Sequence, residues 1–182
     1  RHLSEVADST PENLESIFQE RRGTLEDGLS YLEDLAAHYA RLSPDRKVTL
    51  VRLDEIVAKA LNHPSSPEGV KLENRLPVNL PPVEADPISL RRIFDNLIRN
   101  ALESLVDGQG TVAVSAFVEE DPILEEMRIQ VEVADTGAGI AAEDIGLIFN
   151  DFFTTKDEGT GLGLSNVRRL AADCGASIRV AS

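Results

Sequence analysis

The sequence predicts an α+β fold, a mixed β-sheet layered with helices and preceded by one long helix, and three observations carry that expectation. Residues 70–76, 111–118 and 128–134 alternate apolar and polar side chains with the two-residue period of strands. Asp86-Pro87 reads as a helix start, with Asp able to cap and Pro at the first helical position. Leu90, Phe94, Leu97, Ala101 and Leu105 then recur at three and four residues, one apolar stripe on a helix running to about Val106. Upstream, Thr10-Pro11-Glu12 is a plausible cap for Leu14, Ile17, Phe18, Arg21, Leu25, Gly28, Leu32, Leu35, Tyr39 and Leu42, which step close to a heptad seam.

The long helix carries Glu15, Gln19, Glu20, Arg22, Glu26, Glu33 and Asp34 on its other face. One apolar stripe must be buried against other helices, and nothing else in the chain supplies a matching helix of similar length. Self-association is expected; packing on the sheet domain is the alternative. Residues 48–51 form a short strand running into a helix over 53–61, and 62–69 is a Pro- and Ser-rich turn. Residues 119–126 read as an acidic hairpin loop and 178–181 as a further strand. There is no internal repeat.

Composition narrows the function classes. The 182 residues, 42% hydrophobic, suffice for one good core plus a helical appendage. With 32 acidic against 18 basic residues and a net charge of −14, neither nucleic acid nor an anionic membrane surface is an expected partner. A single Cys, Cys174, excludes a disulfide framework and reads as a buried helix-end thiol. No run approaches the roughly 18 apolar residues of a membrane span and no signal peptide is present, so a cytoplasmic location is expected, with the parent protein free to be membrane-anchored elsewhere.

The chemistry concentrates in two glycine clusters. Asp135-Thr136-Gly137-Ala138-Gly139-Ile140 is followed by Phe152-Phe153-Thr154-Thr155-Lys156 and then by Gly159-Thr160-Gly161-Leu162-Gly163-Leu164. The second cluster opens a helical run, where orphan N–H groups and the macrodipole favour a polyphosphate. Each cluster alone is equally a tight turn. Lys156 can reach a phosphate or simply sit in solvent. On the helix after Asp86, Asn96 and Asn100 lie one turn apart, where Asn is not favoured. They mark either a ligand, such as Mg²⁺ bridging phosphates, or a solvated polar face.

Asn96-Leu97-Ile98-Arg99-Asn100-Ala101, the two glycine clusters and the Phe-Phe-Thr-Thr-Lys between them together resemble the ATP-binding catalytic domain of sensor histidine kinases, in the gyrase/Hsp90/histidine-kinase/MutL superfamily. The nitrogen-regulation sensor kinases are the subtype most resembled. The resemblance spans residues 46–182, the expected catalytic domain, which is expected to lack its last strand. Residues 1–45 are expected to be the second helix of a dimerisation hairpin, with Leu42-Ser43-Pro44-Asp45-Arg46 as hinge. The resemblance implies ATP held by Asp135, Gly137, Gly139 and Ile140, by Thr155 and Lys156 of a lid, and by Gly159, Thr160, Gly161, Leu162, Gly163 and Leu164. It implies Mg²⁺ on Asn100, and Asn96, Asn100 and Lys156 as catalytic positions. A buried carboxylate is acceptor-only, so Asp135 suits the adenine amino group and repels the guanine carbonyl.

Departures from the family pattern refine the expectation. Glu103 stands where many sensor kinases carry Lys or Arg, and Asn150-Asp151 where many carry Glu-Pro. Asn96 stands where ATP-hydrolysing cousins carry a general-base Glu, and an amide cannot accept a proton at neutral pH. Asp95 points about 100° further round the helix. Arg92 and Arg99 lie within reach of the Asn face and could either meet phosphate or simply solubilise an acidic domain; they are left out of the expected site. His2, His38 and His63 each lack an acceptor-like context, so the phosphoacceptor is expected outside this chain, which is read as a fragment of a longer kinase. The resemblance implies transfer of the γ-phosphate to a histidine and then to a response-regulator receiver domain, within a homodimer. Alternatives are an ATP-driven clamp of the gyrase/Hsp90/MutL type and an anti-sigma serine kinase.

Overall fold

The computed structural model describes residues 47–62, 69–121, 126–156 and 159–182. The long helix, its hinge and the three histidines lie outside these residues. The strands are β1 (Thr49–Val51), β2 (Val70–Arg75), β3 (Val83–Ala85), β4 (Gly110–Asp121) and β5 (Glu126–Asp135), and the helices α1 (Leu53–Leu61), α2 (Pro87–Ser104) and α3 (Gly163–Asp173). β2, β4 and β5 form one sheet in the order β2-β4-β5, with β2 parallel and β5 antiparallel to β4. β1 pairs with β3 in a separate two-stranded ribbon.

Alternation puts the apolar side of the sheet under the helices. Val112, Val114 and Ala116 of β4 are buried, and Ile129, Val131 and Val133 of β5 point the same way, while Gln130, Glu132 and Ala134 are exposed. The main core joins this face to Val51, to Leu53, Ile56, Val57 and Ala60 of β1 and α1, and to Phe94 and Ile98 of α2. A second cluster joins Ile93 to Val167, Leu170 and Ala171 of α3. α2 is thus apolar on two sides, one for the sheet and α1, the other for α3. That is why Ile93 and Ile98 are buried although the single stripe read from the sequence omits both.

α2 starts as its sequence dictates. The Asp86 side chain accepts from Ser89 N at 3.0 Å and from the Ser89 hydroxyl at 2.6 Å, and Pro87 occupies the first turn. It ends at Ser104, followed by a tight 3-10 turn over Val106–Gly108 that feeds β4.

Two strand expectations are corrected and one strand is added. Residues 119–121 and 126 belong to the β4–β5 ladder, where Glu119 pairs with Arg128 and Asp121 with Glu126, so the hairpin loop is shorter than residues 119–126. Backbone pairing outweighs the poor strand propensity of acidic residues. Residues 178–181 form no strand: Ile178 packs against the α2–α3 cluster, and no ladder partner exists among the described residues. β3 was not foreseen, being three residues that follow Pro81 and Pro82. Cys174, at the end of α3, is half-buried rather than buried.

Candidate nucleotide-binding site

The C-terminal half of α2 and the N-terminal end of α3 face one another. A Cβ placed on Gly163, the first residue of α3, would lie 3.5 Å from Asn96 Oδ1, 3.8 Å from Asn100 Nδ2 and 3.9 Å from Arg99 Nη2. Leu162, the N-cap residue of α3, makes no side-chain cap among the described residues, and the Ser165 hydroxyl donates back to Leu162 O at 3.1 Å. The first turn of such a helix, with its orphan N–H groups and the positive end of the dipole, favours an anion. The Arg99 guanidinium adds a positive charge in a strongly acidic chain.

Asn96 is buried, which removes the solvated-face alternative for it. Its Nδ2 donates to Arg92 O at 3.0 Å and its Oδ1 accepts from Arg99 Nη2 at 2.9 Å. Asn100, one turn on, is half-buried on the same side of α2. Asp95 is occupied elsewhere, both of its oxygens lying 2.7 Å from Arg91 Nε. Arg99, which the sequence reading set aside, is thus part of this cluster; its i+3 spacing from Asn96 was the available signal.

At the other end, Asp135 closes β5. Its Oδ1 accepts from Gly137 N at 2.8 Å and from the Ser104 hydroxyl at 2.9 Å. Asp135 is exposed rather than buried, because it sits where the edge strand leaves the sheet. Beyond it Thr136 extends the pairing, its N–H donating to Thr111 O at 3.1 Å while its hydroxyl accepts from Thr111 N at 3.0 Å. Gly137 has no room for a side chain: a Cβ there would lie 2.2 Å from Ser104 Oγ. After Gly139, Ile140 N donates to Ser182 Oγ at 2.6 Å.

The segment between the clusters folds back on the second one. Phe152 N donates to Gly161 O at 3.0 Å, and both residues have positive φ, 66° and 69°. A Cβ on Gly161 would lie 2.3 Å from the Phe152 carbonyl carbon. Thr154 Oγ1 accepts from Lys156 N at 3.1 Å, Thr155 is exposed, and Lys156 Nζ pairs with the Glu103 carboxylate on α2. Thr160 is half-buried and Leu162 buried, whereas Gly163 and Leu164 begin α3. Of the sequence-predicted residues, Asn96 and Asn100 thus meet Gly163 of α3, Asp135 and Gly137 meet Ser104, and Lys156 meets Glu103, whereas Ile140 bonds Ser182 and Thr155 is exposed.

Residues 85–182 match the family of histidine kinase-, DNA gyrase B-, and HSP90-like ATPases, and the chain belongs to that family. Within it, the chain is 39% identical over 104 residues to the sensor histidine kinase ZraS of Escherichia coli K12, covering 57% of this chain and 21% of that protein. It is 35% identical over 111 residues to the sensory histidine kinase/phosphatase NtrB of Rhodobacter capsulatus, covering 57% of this chain and 31% of that one. Full-length ShkA in complex with AMPPNP is similar in structure, with a TM-score of 0.66 and 27% identity over 93% of this chain and 36% of that chain. The chain therefore spans about a fifth to a third of the length of these curated relatives.

Among the described residues no helix is long and apolar enough to cross a membrane, and no group of three His, Cys, Asp or Glu could hold a metal ion.

Proposed function

We propose that this chain is the ATP-binding catalytic part of a sensor histidine kinase, with residues 46–182 as the catalytic domain and 1–45 as part of the dimerisation hairpin. The observation that carries the reading is the placement of the α3 N-terminus against Asn96, Arg99 and Asn100, with Asp135 at the other end of the same stretch of α2. The chain's own residues divide the work. Asp135 accepts the adenine amino group, the N–H groups over 160–164 cradle the phosphates, and Asn100 offers an amide oxygen to Mg²⁺. Bound Mg²⁺ supplies charge neutralisation at the phosphate oxygens. Asn96 cannot take a proton from water, so catalysis rests on positioning the γ-phosphate beside an imidazole. The partners are a second copy of the chain through the hairpin and a response-regulator receiver domain that takes the phosphoryl group.

The similarity to NtrB and ZraS and the AMPPNP complex of ShkA support this reading. The test is incubation with labelled ATP, alone and with a separately supplied acceptor hairpin. Acid-labile phosphate on the supplied hairpin, and none on this chain, is expected. Steady ATP hydrolysis without an acceptor would favour the conformational-clamp alternative instead.

A further inference from the structure

Ser104 is the last residue of α2 and touches the candidate base-reading turn at three points. Its hydroxyl lies 2.9 Å from Asp135 Oδ1, its carbonyl accepts from Ala138 N at 3.1 Å, and its atoms fill the space that a side chain on Gly137 would need. Gly137 N donates to the same Oδ1 at 2.8 Å. Two donors on one oxygen fix the rotation of the carboxylate and turn Oδ2 into the oxygen left to meet a ligand. The Ser104 hydroxyl also lies 2.7 Å from Ala101 O, so its single proton has two acceptors, one within the helix and one across to β5.

We propose that Ser104 is a positioning residue for base recognition: its hydroxyl holds Asp135 Oδ1 so that Oδ2 faces the exocyclic amino group of an aminopurine. The proposal rests on the reading of Asp135 as the adenine acceptor. It also makes α2 the ruler of the site, since Asn100 stands one turn, about 6 Å, before Ser104 on the same rigid rod. The phosphate end and the base end are then registered by a single helix.

The experiment measures dissociation constants of the full chain for Mg-ATP, Mg-GTP and the triphosphate of unsubstituted purine riboside, for wild type, Ser104→Ala, Ser104→Thr and Asp135→Asn. In Ser104→Ala the preference for ATP over the unsubstituted purine should fall about three- to thirtyfold, the scale of one hydrogen bond to a charged group. Affinity for the unsubstituted purine should stay within about twofold, a separation that general destabilisation would not produce. Ser104→Thr, which keeps the hydroxyl, should restore the preference. Should Ser104→Ala not fold, Ser104→Cys, near-isosteric with a weak donor, takes its place and should show the same loss. An unchanged preference in Ser104→Ala or Ser104→Cys, with a collapsed one in Asp135→Asn, overturns the role of Ser104 alone. An unchanged preference in Asp135→Asn overturns both this role and the reading of Asp135.

Discussion

Lys156 Nζ is paired with the carboxylate of Glu103, so the segment between the glycine clusters is tied to α2 one turn beyond Asn100. A lysine held there is not on a phosphate, and Glu103 places a negative charge beside the proposed triphosphate path. Both effects oppose nucleotide binding.

Replacing Glu103 by Gln should therefore tighten Mg-ATP binding. The pair is about half-exposed on both sides, which limits its worth to about 0.2–1 kcal/mol, or at most about a fivefold fall in Kd. Titration calorimetry at low and high salt checks this, and the gain should shrink as salt screens the pair. Weaker binding in Glu103→Gln would mean that the ion pair supports the nucleotide-ready arrangement.

Asn100→Ala should weaken Mg-ATP binding by about tenfold or more, the scale of one lost contact to a charged centre, while the thermal midpoint barely moves because Ala is the best helix former. The comparison that matters is ATP affinity with and without Mg²⁺. If both fall equally, Asn100 does not act through the metal.

Gly161→Ala places a side chain at a φ of 69° and against the Phe152 backbone. The left-handed conformation alone costs about 1–2 kcal/mol, and the contact adds to it. Amide exchange in residues 152–161 should accelerate and nucleotide affinity should drop, with the sheet core protected as before. Phe152 has the converse problem, a bulky residue at a φ of 66° and largely exposed. Phe152→Gly should relieve that strain, stabilising the fold by up to about 1 kcal/mol in urea titration.

Acid should weaken the sheet edge. Hydrogen bonds from Lys71 and then from Arg75 hold the Glu73 carboxyl below its ordinary value of 4.5. A folded-state pKa below the unfolded one stabilises the fold above about pH 4.5, and that contribution fades as pH falls through the folded value. Glu73→Gln should flatten this part of the pH dependence of the urea midpoint; an identical acid limb in the variant would show that the cluster is too well solvated to matter.

Asp135→Asn should cut discrimination between ATP and GTP by about 1–3 kcal/mol, since an amide can present either a donor or an acceptor. Competition binding of the two nucleotides measures it.

The local signals were legible and the distant ones were not. Asp86-Pro87 declares its own helix because cap and φ are local properties, and α1 over Leu53–Leu61 follows from a strong amphipathic period. β3 is visible only through its pairing with β1, from Thr49 with Ala85 to Val51 with Val83, which no three-residue window can report. The same holds in the site. The glycine clusters and both asparagines announce themselves by residue type. Ser104 and Glu103 do not, because their roles come from contacts with Asp135 and Lys156, brought together only by the docking of α2 on the sheet. The exposure of Asp135 was likewise unreadable, since it depends on β5 being an edge of the described sheet.

The parallel pairing of β2 with β4 has a consequence for biogenesis. β4 and β5 can zip together as a hairpin soon after both leave the ribosome, but β2 emerges earlier and its partner is a strand that α2 must first carry into place. During that interval β2 is an unpaired strand in search of any edge. Lys71, Glu73 and Arg75, alternating in sign along one side of it, make it a poor template for a neighbouring nascent chain. Replacing those three residues with apolar ones should raise the aggregated share of the expressed protein, read as the pellet fraction, while the β2-β4 register is kept.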